Sequence, residues 1–188
     1  DVVRGVSLSA DGRTLAMGGD NNRLEVFDTE SQECLRSWSH KSKVWAVSLS
    51  GDGGLVAAGD YSGLVVLRNV DSGAVVFEHA FKPKGGPPFV WAVALSPDAS
   101  VFAAGCWNGE LCVWKNHPDP ATGVKSWESL LRGSAAITRS DRVFSISLAQ
   151  EGSLLAVGDR AGLATVYKLP SIDMVLRASK YDAPSTLG

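Results

Sequence analysis

Short runs of alternating apolar and polar residues fill the chain, and glycine, aspartate and asparagine separate the runs. Residues 3–9 alternate through Val6 and Leu8, and residues 23–28 alternate in the same way. A period of two over runs of this length predicts β-strands, and the polar breaks predict tight hairpin turns. No stretch shows a helical period, and the gaps are too short for the crossovers that parallel strands need. The pattern therefore predicts an all-β chain of antiparallel hairpins.

The same pattern occurs four times, so the chain consists of repeats. Each copy carries an acidic turn residue and, seven positions later, a glycine. The acidic residues are Asp11, Asp52, Asp98 and Glu151, and the glycines are Gly18, Gly59, Gly105 and Gly158. The spacing between successive acidic residues equals the spacing between successive glycines, so a rigid unit recurs while its connections vary in length. A repeat of this period predicts a solenoid, a propeller or an array.

Each repeat divides into four short strands. The predicted units, or blades, are residues 3–40, 41–81, 89–131 and 142–179. The segments between and after them are two linkers and a tail, residues 82–88, 132–141 and 180–188. Residues 116–123 contain prolines and predict an added loop between the third and fourth strands of the third blade. Both faces of each small sheet are largely apolar, so radial stacking into a β-propeller is the predicted fold.

Four segments resemble the second hairpin of WD-repeat (tryptophan–aspartate) β-propellers. In that family a glycine-rich bend leads into a strand that closes on Trp-Asp. The corresponding segments are eleven residues each, at 18–28, 59–69, 105–115 and 158–168. The Trp position holds Phe27, Arg68, Trp114 and Tyr167, and the Asp position holds Asp28, Asn69, Lys115 and Lys168. No complete Trp-Asp pair is present, so the repeats are degenerate.

The resemblance implies four blades of a larger propeller of about seven, with the other blades supplied by the same chain or by another. The Gly-His pair that opens a family repeat is absent, and Ser39-His40 is its nearest equivalent. We therefore expect that the family's buried Asp–His–Ser–Trp hydrogen-bond set does not form in the usual way, and that apolar packing mainly holds the blades.

The resemblance also implies function as a non-enzymatic scaffold for protein–protein interaction, within a larger protein or a multi-subunit assembly. The expected partners are other protein subunits or peptide segments. No catalytic residue is identified, and His40, His79 and His117 lack the spacing to other ligands that a metal site needs. We expect no cofactor.

Composition limits the kinds of partner and the cellular location expected for the chain. Hydrophobic residues make up 45% and charged residues 20%, which is typical of soluble domains. The formal net charge of −2 disfavours nucleic acid and anionic lipid as partners, and no apolar run approaches the roughly 20 residues that span a bilayer. Cys34, Cys106 and Cys112 form no CxxC pair, which favours reduced thiols, so an intracellular, cytoplasmic location is expected.

Two sets of equivalent positions are candidate binding residues. The first set lies on the predicted rim of glycine bends: Asp20, Asn21, Tyr61, Trp107, Asn108 and Arg160. The second set is a column at the start of each first strand: Arg4, Trp45, Trp91 and Phe144. Tyr, Trp and Arg are enriched at interface hot spots. Alternatively, Trp107 caps a neighbouring blade, and Trp45 shares strand parity with Val47 and Leu49, which favours the core between blades over the mouth of the channel.

Three further interpretations remain open. Lysines on the links either attract an acidic partner or are simply solvated: Lys41, Lys43, Lys82 and Lys84. Residues 122–127 resemble the Thr-Gly-Lys-x-x-Trp element of quinoprotein propeller enzymes, although adjacent cysteines are absent. A nucleic-acid-binding propeller is the last alternative, and the net charge disfavours it.

Overall fold

Sixteen β-strands make up the regular structure of the residues that the structure describes. The computed structural model describes residues 1–83, 86–118, 125–132, 142–171 and 173–179. The strands of the first two sheets are β1 (Val3–Leu8), β2 (Thr14–Gly19), β3 (Arg23–Asp28), β4 (Cys34–Ser39), β5 (Val44–Leu49), β6 (Leu55–Asp60), β7 (Leu64–Asn69) and β8 (Val75–Ala80). Those of the last two are β9 (Val90–Leu95), β10 (Val101–Cys106), β11 (Leu111–Pro118), β12 (Lys125–Arg132), β13 (Val143–Leu148), β14 (Leu154–Asp159), β15 (Leu163–Lys168) and β16 (Asp173–Ser179).

The strands form four separate antiparallel sheets, each of four consecutive strands in chain order. The first strands of successive sheets pack against each other, β1 on β5, β5 on β9 and β9 on β13. First strands therefore lie innermost and fourth strands outermost, as in the blades of a propeller. The predicted all-β fold of four-stranded antiparallel blades is confirmed, and membership of a larger propeller stays a prediction.

One predicted loop is partly strand. The start of the 116–123 loop continues β11, where Asn116 pairs with Trp127 and His117 pairs with Ser126 of β12. The hairpin extends because Trp127 packs against the core shared by the second and third blades, which fixes the strand that carries it. Residues 119–123 lie outside the described residues. The runs predicted as strands at 3–9 and 23–28 correspond to β1 and β3, with ends that agree within one residue.

Apolar side chains fill the spaces between blades rather than a single centre. Three buried clusters are present, one at each junction between consecutive blades. At the junction of the first two blades, for example, Leu24 and Val26 of β3 meet Val44 and Val56, and all four are fully buried. Burial at each junction is the main apolar contribution to stability, at roughly 25 cal/mol per Å².

The repeated glycine is where each blade receives a valine from the next. A Cβ on Gly18 would lie 2.4 Å from a methyl group of Val44, and one on Gly59 would lie 2.3 Å from Val90. Gly105 faces Val143 in the same way, at 2.4 Å. All three valines are fully buried. A side chain larger than hydrogen would therefore push the first strand of the next blade away.

The first blade leaves its equivalent valine uncovered. Val3 occupies in β1 the position that Val44 and Val90 occupy in their strands, yet it is 53% exposed. Val6 and Leu8 on the same strand are 64% and 58% exposed. The same strand position is thus buried where a preceding blade covers it and open where none does.

A serine two residues before the acid closes the turn between the first and second strands. The hydroxyls of Ser9, Ser50 and Ser96 each donate to the following aspartate at 2.5–2.6 Å and accept a backbone N–H from the second strand. The fourth blade has Ala149 and Glu151 at these positions. The repeated acidic residue is therefore a turn-forming group.

Substitution of Gly59 by alanine tests the glycine–valine contact. We expect Gly59→Ala to lower the free energy of unfolding by about 1–3 kcal/mol, because the added methyl group overpacks the junction against Val90. Gly86→Ala is the matched control, since a Cβ at Gly86 meets nothing within 4 Å. Its effect should stay within about 0.5 kcal/mol in urea unfolding.

The double variant Gly59→Ala with Val90→Ala separates overpacking from a general loss of stability. The smaller side chain at position 90 should make room for the new methyl group, so the double variant should lose less stability than the two single variants together. Additive losses would show that the two residues do not oppose each other across the junction.

Candidate functional site

Each first strand contains a β-bulge, and the bulged residue is the one predicted as the column. Val3 and Gly5 pair with successive residues of β2, so Arg4 is the extra residue. Trp45, Trp91 and Phe144 are the extra residues in β5, β9 and β13. A bulge breaks the alternation of a strand and re-aims the side chain at that point. The alternation of β5 is interrupted at Trp45, so the prediction of a core position from strand parity is wrong. Trp45 and Trp91 are half-buried.

The two predicted sets lie side by side. In every blade the rim residue two positions after the repeated glycine donates its backbone N–H to a backbone carbonyl. The acceptor is the residue two positions before the column: Asp20 donates to Val2, Tyr61 to Lys43, Trp107 to Phe89 and Arg160 to Arg142, at 2.8–3.2 Å. The same bond in all four blades brings the turn after the second strand against the start of the first strand. Rim and column therefore form one surface at one end of the blades.

Aromatic contacts run across this surface without a break. The Trp45 ring lies 4.8 Å from Tyr61 and 5.2 Å from Trp91, measured between centroids. Trp91 lies 4.2 Å from Trp107 and 5.4 Å from Phe144. We call this surface the aromatic end. It is formed by Arg4, Trp45, Tyr61, Phe89, Trp91, Trp107, Arg142 and Phe144. It connects the second, third and fourth blades through rings and reaches the first through Arg4.

Cationic side chains flank the rings. The Arg4 guanidinium lies 4.5 Å from the centre of the Trp45 ring, and Arg142 lies 3.6 Å from the centre of Trp107. Arg4 also donates two hydrogen bonds to Asp20, at 2.8 and 2.9 Å, and Lys43 donates to Asp20 at 2.9 Å. Hydrogen bonds from Arg4 and then Lys43 hold the pKa of Asp20 well below its usual range. These contacts fix the edge of the surface by cation–π and ion-pair interactions.

The other rim residues have different surroundings. Asn21 and Asn108 accept the backbone N–H of Arg23 and Glu110 through their side-chain oxygens, at 3.1 Å. Both therefore shape their own turns. Trp107 contacts Phe144 of the next blade at 6.0 Å and stays half-buried, so it caps that blade and also belongs to the aromatic end. Lys84 of the predicted lysine group lies outside the described residues.

Sequence reasoning missed two members of the aromatic end. Phe89 stacks on Tyr61 with centroids 4.0 Å apart, and Arg142 covers Trp107. Both lie two positions before a column residue, Trp91 and Phe144 respectively. That common offset is the signal in the sequence that identifies them.

Part of the family's buried hydrogen-bond set forms between the end of the first blade and the second blade. His40 Nδ1 and Asp60 Oδ2 are 3.1 Å apart, with side chains 2% and 0% exposed. Asp60 also accepts the backbone N–H groups of Ser62 and Leu64, and the backbone N–H of His40 donates to Asn22 of the first blade. Only the His–Asp part of the set forms, because Ser39-His40 supplies the histidine, so the set is not the usual complete one. His40 Nε2 has no hydrogen-bond partner among the described residues, so the set stops there.

Other chemistry in the described part of the chain is limited. No group of three or more His, Cys, Asp or Glu side chains is arranged to hold a metal ion in that part. Among the described residues, Cys34, Cys106 and Cys112 form no disulfide, and burial strongly raises the pKa of Cys106, which keeps it protonated. Residues 122–124 of the quinoprotein-like element lie outside the described residues. Among the described residues, no helix has the length and apolar character needed to cross a membrane.

Blades stacked around innermost first strands define the class of the protein as a β-propeller segment. The family model described as WD domain, G-beta repeat matches residues 32–69 and 77–115. Each match runs from the outermost strand of one blade through the first three strands of the next. The predicted resemblance to WD repeats is therefore confirmed over these two segments; such repeats typically mediate protein–protein interaction and are typically not enzymes. A comparison with curated proteins gives no significant match.

Substitution of Asp60 by asparagine tests how much the buried His40–Asp60 pair contributes to the free energy of unfolding, and how that contribution depends on pH. Burial opposes ionisation of Asp60, but hydrogen bonds from His40, Ser62 and Leu64 outweigh it and hold its pKa below the ordinary value. The carboxylate's contribution is therefore complete above the pKa of an unfolded aspartate, about 3.9, and is lost as the pH falls through the lower folded pKa. At pH 7, Asp60→Asn should cost about 2 kcal/mol of unfolding free energy.

The difference between wild type and Asp60→Asn should shrink below about pH 4, as protonation removes the same charge in the wild type. Asp71→Asn, on an exposed turn of the same blade, is the control and should cost little at any pH. A cost that is independent of pH down to pH 2 would contradict the account.

Proposed function

We propose that the chain is a non-enzymatic protein-interaction module that binds an extended segment of a partner protein across the aromatic end. The observation that carries the proposal is the unbroken run of ring contacts from Trp45 through Trp91 to Phe144. Half-buried rings keep apolar area that a partner can cover, and Phe144 is 43% exposed. Contiguous exposed apolar area on a folded surface is a mark of binding sites.

The aromatic end is built to hold its shape before binding. Each column residue is set by a bulge, and each neighbouring turn is tied by the backbone bond to the link. Trp and Tyr supply large contact area with few rotatable bonds, so little side-chain entropy remains to be lost on binding. A rigid platform of this kind suits recognition of a segment that is itself flexible.

The setting of the module is part of the same proposal. Free thiols, with Cys106 and Cys112 buried, are consistent with a reducing, cytoplasmic location. The exposed Val3, Val6 and Leu8 of β1 are consistent with a further blade that covers them in the complete propeller, from the same chain or another. We propose that this propeller serves as a scaffold within a larger assembly.

Selection from a displayed library of random twelve-residue peptides tests the proposal. The chain should enrich peptides that bind the aromatic end, and Trp91→Ala should weaken their binding at least about tenfold, as expected for a central hot spot. Phe144→Ala is a second variant with a more exposed side chain, and it should weaken binding while leaving the unfolding midpoint near that of the wild type.

Leu35→Ala is the matched control, because Leu35 is a 38% exposed apolar residue on the outermost strand of the first blade. It should leave peptide binding unchanged. Failure to enrich any peptide, or peptides that depend on Leu35 and not on Trp91 or Phe144, would refute the proposal.

A further inference from the structure

The two ends of the blades carry opposite charge, although the chain as a whole is nearly neutral. The turns between first and second strands and between third and fourth strands lie at one end, which we call the acidic end. Its described carboxylates are Asp11, Asp28, Glu30, Glu33, Asp52, Asp71, Asp98, Glu151 and Asp173. Its described cations are Arg13, Lys115 and Lys168, together with Arg36 and Arg68, whose guanidinium groups donate to backbone oxygens of the turn between β7 and β8. Nine carboxylates therefore face five cations at this end.

The aromatic end carries a small excess of cations. Its described cations, on the links, the bulges and the turns after the second strands, are Arg4, Arg23, Lys41, Lys43, Lys82, Arg142 and Arg160. Its described carboxylates are Asp1, Asp20, Asp60, Glu110 and Asp159. Asp60 is buried against His40, and Asp20 is held by Arg4 and Lys43. Asp159 is held by the backbone N–H groups of Ala161 and Leu163.

We propose that the aromatic end recognises an acidic segment, one in which carboxylate side chains alternate with large apolar side chains. This inference rests on the proposed function and names the chemistry of the partner. The apolar side chains pack on Trp91 and Phe144. The carboxylates lie toward the cations beside the rings on the fourth blade, Arg142 and Arg160.

The position of Arg142 suits this role. Its guanidinium stacks 3.6 Å from the centre of the Trp107 ring, which holds the group in place by its flat face. The N–H donors of a guanidinium lie in its plane and match the geometry of a carboxylate. A carboxylate beside a half-buried ring is also partly shielded from water, so its attraction to the guanidinium is less screened than on an open surface.

The charge of the acidic end also favours binding of an acidic segment at the opposite, aromatic end. A negatively charged segment is repelled by the carboxylate-rich turns and attracted to the opposite surface, so the field of the chain steers it to the rings. A nucleic acid fits less well. Polyanion binding depends on many cations that neutralise phosphates, and here Arg4 and Lys43 already share Asp20.

Charge exchange in the selected peptides tests the inference. Peptides enriched on the wild-type chain should be rich in Asp and Glu beside Phe, Trp, Leu or Pro. Each is synthesised with a fluorescein label, together with a copy in which Asn and Gln replace Asp and Glu. Anisotropy titration of the whole chain should show the neutral copy binding at least about tenfold more weakly.

The double variant Arg142→Gln with Arg160→Gln should remove most of this difference, since it should weaken the acidic peptide far more than the neutral copy. Lys168→Gln is the matched control, an exposed cation at the acidic end, and it should change neither. Raising the salt concentration should reduce the preference for the acidic peptide.

The remaining outcomes separate this inference from the proposed function. Peptides that bind through Trp91 equally well with and without their carboxylates would overturn the acidic partner and leave the interaction module in place. An absence of enriched peptides would overturn both. A labelled twelve-nucleotide RNA that binds more tightly than every acidic peptide, and competes with them, would overturn the inference in favour of nucleic acid.

Discussion

The contact between a glycine in one blade and a valine in the next is the constraint on which the structure depends. Gly18, Gly59 and Gly105 each lie where a Cβ would collide with a fully buried valine of the following first strand. Because the valine enters that space, successive first strands approach each other closely and the blades keep one relative placement. The bulged column residues lie one position after these valines, so the same contact sets the spacing of the rings.

The recurrence of turns and glycines predicted the fold almost completely, because hairpins and close packing depend on local residue types. Ser96 donates to Asp98 and Gly105 faces a valine of the next blade, and both contacts recur in the first three blades. The beginning of the 116–123 loop was harder to predict, since His117 and Pro118 join a strand only through the packing of Trp127. Long-range packing of that kind leaves no periodic signal.

The candidate site was predicted in its residues but not in its arrangement. Trp45, Trp91 and Phe144 were recognisable as one column, yet strand parity pointed Trp45 into the core because a bulge cannot be read from alternation. The pairing of Asp60 with His40 was also missed, since the two residues are twenty positions apart and meet across a link. Charge shows the same limit: a net charge of −2 conceals two ends of opposite sign until the strand directions are known.

The six tryptophans offer the most direct test of the account. Trp45, Trp91 and Trp107 belong to the aromatic end, whereas Trp38, Trp114 and Trp127 lie in or against the apolar cores. NMR spectra of the indole N–H signals during titration with a bound acidic peptide should show large shifts for the first three and small shifts for the others. Shifts confined to Trp38, Trp114 and Trp127, or spread evenly over all six, would contradict binding at the aromatic end.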